Sequence, residues 1–164
     1  MKLFNQLITA LFFSLISTSA VFAHGETVVQ ALGKTTTGAA ATDIWKITCT
    51  KGPDKKGGPI VTPTRLTFHV MDLAPVHPAV ISVQAFKGTL KSPVYKDPKD
   101  GDKVYGPAGF ASLKGGQGDY YLKITKSAST VKGVEKYIPQ FHCWSDSSTG
   151  KNHSTISFRL IQNQ

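Results

Sequence analysis

The chain is poor in cysteine and in arginine. Only Cys49 and Cys143, and only Arg65 and Arg159, occur among its 164 residues. Acids are scarce too: Asp and Glu total 10 against 19 Lys and Arg, a formal net charge of +9. Each shortage excludes something. Two cysteines allow one disulfide at most. Two arginines make nucleic acid a poor partner for an exported chain. The lysines are scattered and concentrate in loops, so the positive charge reads as a solubility device. An anionic surface, a polysaccharide or a lipid headgroup is the alternative reading. Catalytic motifs are also missing. No Gly-x-Ser-x-Gly elbow occurs. The Lys51–Pro59 run has glycines and lysines without the spacing of a phosphate-binding loop. After residue 23 there is no helical period of useful length.

What is present begins with a leader. Met1-Lys2 gives a basic start, an apolar core runs from Leu7 to Ile16, and Val21-Phe22-Ala23 offers small or short residues at the positions a signal peptidase reads. The stretch 1–23 is expected to be a secretory signal peptide. No cysteine follows the apolar core, which argues against a lipid anchor. Cleavage after Ala23 would leave residues 24–164 as a single domain in the periplasm or outside the cell, with 24–42 as an N-terminal arm. No integral membrane segment is expected after cleavage, and partners would be an unidentified ligand or envelope protein.

Alternation with a period of two, the mark of a strand with one buried face, recurs along this domain. It covers Asp43–Thr50, Thr64–Leu73, Ala79–Phe86, Phe110–Leu113, Asp119–Thr125, Tyr137–Trp144 and Ser154–Ile161. Glycine- and proline-rich turns separate these runs, so the fold class is all-β, an antiparallel β-sandwich. Two prolines beside His77 suggest a hairpin between the second and third strands. The span from Lys91 to Gly109 reads mostly as loop, as does Ser145–His153. Asp97, Asp100 and Asp102 in the first of these read as a solvated turn, with calcium ligation as the alternative.

Cys49 and Cys143 each fall on the inner face of a strong strand, and an exported chain with two cysteines usually pairs them. Closing so long a loop stabilises a fold by about 4–5 kcal/mol in the chain-entropy account. A type 1 copper site is disfavoured. It needs a histidine soon after the cysteine, and Cys143 has none before His153.

A family pattern runs through these strands. Thr42-Asp-Ile-Trp-Lys-Ile-Thr, Arg65-Leu-Thr-Phe-His-Val-Met-Asp-Leu, Gly115-Gly-Gln-Gly-Asp-Tyr-Tyr-Leu-Lys-Ile and Tyr137-Ile-Pro-Gln-Phe together resemble the bacterial pre-peptidase C-terminal (PPC) domains. The resemblance spans roughly residues 35–161. It implies a jelly-roll-like sandwich with a binding or accessory role and no catalysis. The chain is expected to stand alone, without the enzyme domain to which those modules are attached, and it departs from their pattern in carrying the two cysteines.

Five histidines raise a metal question. Cleavage after Ala23 would expose His24 as the amino terminus, and a terminal His offers its α-amine and ring Nδ1 to one ion. Nitrogen donors of this kind suit Cu(II). The start His24-Gly-Glu is similar to that of the copper-bearing periplasmic subunit of particulate methane monooxygenase, and to lytic polysaccharide monooxygenases, which also begin with His. The similarity implies a copper cofactor. His69 and His142 lie opposite the inner faces of their strands and could converge on one sheet surface, completing a set of His24, His69 and His142. His77 lies in a turn and His153 in a polar loop. The leading expectation is a non-catalytic exported binding or accessory protein of unknown ligand. The alternative is a periplasmic copper-binding protein, with a copper monooxygenase less favoured.

Overall fold

The computed structural model describes residues 25–26, 29–53, 57–74, 78–97, 99, 101–147 and 150–164. Alternation becomes strand throughout. In chain order the strands are β1 Gly25–Glu26, β2 Gln30–Leu32, β3 Ala41–Thr50, β4 Arg65–Leu73, β5 Ile81–Lys87 and β6 Leu90–Lys91. They continue with β7 Tyr95–Asp97, β8 Gly106–Lys114, β9 Gly118–Lys126, β10 Glu135–Ser147, β11 Gly150–His153 and β12 Thr155–Gln162. Two antiparallel sheets form. One runs β1-β10-β4-β8, with β2 and β11 also on β10; the other runs β12-β3-β9-β5-β6, with β7 on β5. Among the described residues no helix is long and apolar enough to cross a membrane.

The inner faces are those the alternation marks. Trp45, Ile47 and Cys49 of β3 meet Leu66, Phe68 and Val70 of β4, Tyr120, Leu122 and Ile124 of β9, and Tyr137, Phe141 and Cys143 of β10 in one core. Burial of such side chains is the main stabilising term, about 1.5–3 kcal/mol for each large one. Cys49 and Cys143 form a disulfide that joins the two sheets, with Cα atoms 5.5 Å apart and 94 residues between them in sequence. A second tie is polar. Trp45 Nε1 donates to the Tyr137 hydroxyl at 3.1 Å, and that hydroxyl donates to Asp43 Oδ2 at 2.7 Å. Asp43 Oδ1 in turn accepts the backbone N–H of Gln164 at 3.0 Å, fastening the C-terminal end of the chain.

Four expectations are corrected. β4 and β5 lie in different sheets, so no hairpin joins them. Alternation tells which face of a strand is buried, not which sheet the strand joins, and a crossing connection leaves the same pattern. Residues 75–77, including His77, lie outside the described residues. The span 91–109 holds β7 and the start of β8. Asp97 there is 4% exposed, and its Oδ2 accepts the Asp72 backbone N–H at 2.8 Å, so it is no solvated turn residue. Asp102 caps the Val104 N–H at 2.8 Å, and Asp100 lies outside the described residues. The stretch expected as an arm contributes β2, whose Leu32 is fully buried in the core. The span 145–153 is no loop either, because β10 runs to Ser147 and turns back as β11.

Candidate functional site

The residues of β4 and β10 that turn away from the core share the outer face of their sheet. Cross-strand register pairs His69 with Gln140, Thr67 with His142 and Arg65 with Trp144. Directly opposed side chains on one face sit within contact reach, so these six residues form one surface. β11 adds His153, paired with Trp144.

β8 supplies the ring that covers the histidines. It pairs Ala111 with Phe68 and Gly106 with Val70. Between those pairs β4 has the single residue His69, whereas β8 has residues 107–110. The extra backbone makes a bulge, a device that re-aims side chains. Phe110 emerges from it with its ring stacked on His69, centroids 4.0 Å apart and planes 22° apart. Tyr105 stacks on His69 at 3.9 Å and 7°. The His69 ring also hydrogen-bonds through Nε2 to Gln140 Oε1.

Phe110 touches His142 as well, edge to face, with centroids 5.0 Å apart. His142 in turn stacks on His153, centroids 4.7 Å and planes 15° apart, and Trp144 leans on His153 at 4.6 Å. A continuous run of ring contacts therefore crosses the sheet from Tyr105 to Trp144. The histidines lie at its base. His69 is 7% exposed and His142 4%, whereas Phe110 above them is 45% exposed. They are buried side chains, not the solvent-facing ones that their polar neighbours suggest.

The structure thus puts His69 and His142 on one face and lays Phe110 against both. His153, read from sequence as a loop residue, is the ring stacked directly on His142. The signal for it was the Ser147-Ser-Thr-Gly150 run, whose small, glycine-ending composition suits a hairpin turn. His24 lies outside the described residues, but its neighbour Gly25 is paired with Phe141, the residue before His142. No group of three or more His, Cys, Asp or Glu side chains suited to a metal occurs among the described residues. What they offer is a close pair of imidazoles. No thiolate is available to join them, since both cysteines are spent in the disulfide.

The chain matches no protein-family profile, and no curated protein and no solved structure matches it.

Proposed function

We propose that this chain is an exported, non-catalytic binding protein whose ligand is a copper(II) ion. The ligands would be His142, His153 and His24, the last as the amino terminus freed by cleavage of the signal peptide. The observation that carries the reading is the closeness of the His142 and His153 rings, 4.7 Å between centroids; stacked rings hold their nitrogens in nearly parallel planes, so one imidazole would turn for both to face one ion. A terminal histidine adds an amine and a ring nitrogen to the two imidazoles. An all-nitrogen donor set without thiolate favours Cu(II) over softer ions. His69 leaves the expected ligand set in this reading, because Tyr105 and Phe110 clamp its ring and Gln140 engages its Nε2. Its part is to seat Phe110 over the site. When bound, copper would supply a Lewis-acidic, redox-active centre; this chain's residues hold and shield it. A binding role is also what the resemblance to PPC domains implies.

The test has two stages. The exported protein is sequenced from its amino terminus, and a start at His24 is expected. The processed protein is then titrated with Cu(II), beside a form carrying an extra residue before His24. Stoichiometric binding that the extension weakens supports the reading. A different start, or binding indifferent to the extension, rejects it.

A further inference from the structure

The sheet that does not carry the histidines turns a basic face to solvent. It is built from β12, β3, β9, β5, β6 and β7. Register gathers its cations. Arg159 pairs with Lys46, Lys46 with Tyr121, Tyr121 with Phe86 and Phe86 with Lys91, so one row crosses from β12 to β6. Directly opposed residues share a face, and four strand spacings of about 4.8 Å carry this row over roughly 19 Å. In the rows beside it Lys123 pairs with Ile44 and Gln84, and Lys96 with Ser82. Lys91, Lys96, Lys123 and Arg159 are exposed, and Lys46 is half-buried. The one outward carboxylate on these strands is Asp119, which lies 2.6 Å from Lys46 Nζ. Asp43 and Asp97, the other acids of the same strands, are buried. Five strands thus give one cation each to a single face, although the sequence scatters them from residue 46 to residue 159.

Five cations against one carboxylate call for a partner of opposite charge. Their spread across the sheet calls for an extended partner with repeated charges. The remaining side chains of the face select among such polymers. A nucleic acid strand stacks successive bases on successive open rings. Here Tyr121 is 38% exposed, but its neighbour Phe86 is half-buried. A bilayer surface takes up apolar side chains that insert into it. The positions between and beside these cations are mostly polar: Thr48, Ser82, Gln84 and Thr125, with Ile44 half-buried. A sugar polymer with one negative group per unit meets all of these. Its charges face the lysines and Arg159, its hydroxyls meet the hydroxyl and amide groups, and its C–H faces lie against Tyr121, whose ring face is electron-rich. An open face suits a polymer lying along it.

We propose that the outer face of this sheet binds an acidic polysaccharide, one that carries a negative group on each sugar unit. The inference is independent of the copper site, which lies on the other sheet, and it is tested on metal-free protein at low salt. Calorimetric titration uses a hexamer of mannuronate, with cellohexaose as its neutral counterpart. Vesicles of equal parts phosphatidylcholine and phosphatidylglycerol, and a single-stranded thymidine decamer, stand for the other polyanions. The mannuronate hexamer is expected to bind most tightly and to shift the backbone amide signals of Lys46, Phe86 and Tyr121 in nitrogen-15 NMR. The double variant Lys123→Glu, Arg159→Glu should weaken that binding about tenfold or more, because like charges brought together repel. Lys114→Glu with Lys136→Glu changes the net charge equally on the other sheet and should weaken it far less. The indole N–H signal of Trp45, bonded to Tyr137 in the core, reports an intact fold in each variant. The proposal is overturned if the mannuronate hexamer does not bind below about 1 mM, a free energy near −4 kcal/mol. It is also overturned if cellohexaose, the vesicles or the thymidine decamer bind as tightly, or if the two double variants weaken binding equally.

Discussion

The hydroxyl of Tyr137, on β10 of one sheet, donates to Asp43 Oδ2 on β3 of the other at 2.7 Å, and accepts from Trp45 Nε1 at 3.1 Å. One phenol oxygen thus links the sheets through two hydrogen bonds inside the core. Replacing it by Tyr137→Phe keeps the ring and strands both partners. Leaving buried groups unsatisfied costs about 1–3 kcal/mol each. The expected result is a lower urea midpoint with an unchanged slope. A variant as stable as the parent would mean that the link carries no net stability.

Asp43 gives a dependence on pH. Burial raises its carboxyl pKa above the ordinary 3.8, against the opposing pull of its hydrogen bonds from Tyr137 and Gln164. Between 3.8 and the raised value the folded protein holds a proton that the unfolded chain has lost, so stability from this group falls as pH rises through that window. Asp43→Asn removes the group. The stability of the parent relative to this variant should therefore grow as the pH is lowered from neutral toward 4. Asp119, whose carboxyl is held below its ordinary range by hydrogen bonds from Lys46 and Thr48, acts in the opposite sense but is common to both proteins. Denaturation of both across this range checks the sign, and a difference that shrinks on acidification would contradict it.

The disulfide is the covalent counterpart of the same tie. Replacing Cys49 and Cys143 by serine should cost about 2–5 kcal/mol, the usual loss for a native bridge. Thermal melting of the oxidised, reduced and substituted proteins measures it. Similar drops for the reduced and substituted forms are expected, and no drop in either would show that the non-covalent contacts hold the sheets without it.

The disulfide was legible in the sequence; the hydrogen bonds among Asp43, Trp45 and Tyr137 were not, although the inner positions of Trp45 and Tyr137 were. Trp45, Cys49, Tyr137 and Cys143 all stand at inner positions of strongly alternating strands, and that parity survives in the fold because a strand has just two faces. Sheet membership is another matter. The residues of β4 and β5 look alike whether the strands pair or cross between sheets, and only long-range pairing decides. Asp97 sits in a lysine-rich run that reads as solvent-facing, yet β7 pairs with β5 and draws it inside. The outer face was half readable. His69 and His142 shared a parity, but the bulge in β8 that lowers Phe110 onto them, and the short return strand that stacks His153 on His142, depend on backbone pairing between distant segments.

The proposed copper site depends on His142 and His153 as a pair of ligands. The most direct measurement is electron paramagnetic resonance of the processed protein loaded with one equivalent of Cu(II), compared across His142→Ala, His153→Ala and His69→Ala. Nitrogen hyperfine structure is predicted for the parent. Removing His142 or His153 should simplify that structure and weaken binding by more than about tenfold, since each removes a donor nitrogen. His69→Ala should keep the parent's nitrogen pattern. A spectrum unchanged by His142→Ala and His153→Ala, or lost only with His69→Ala, would contradict the account.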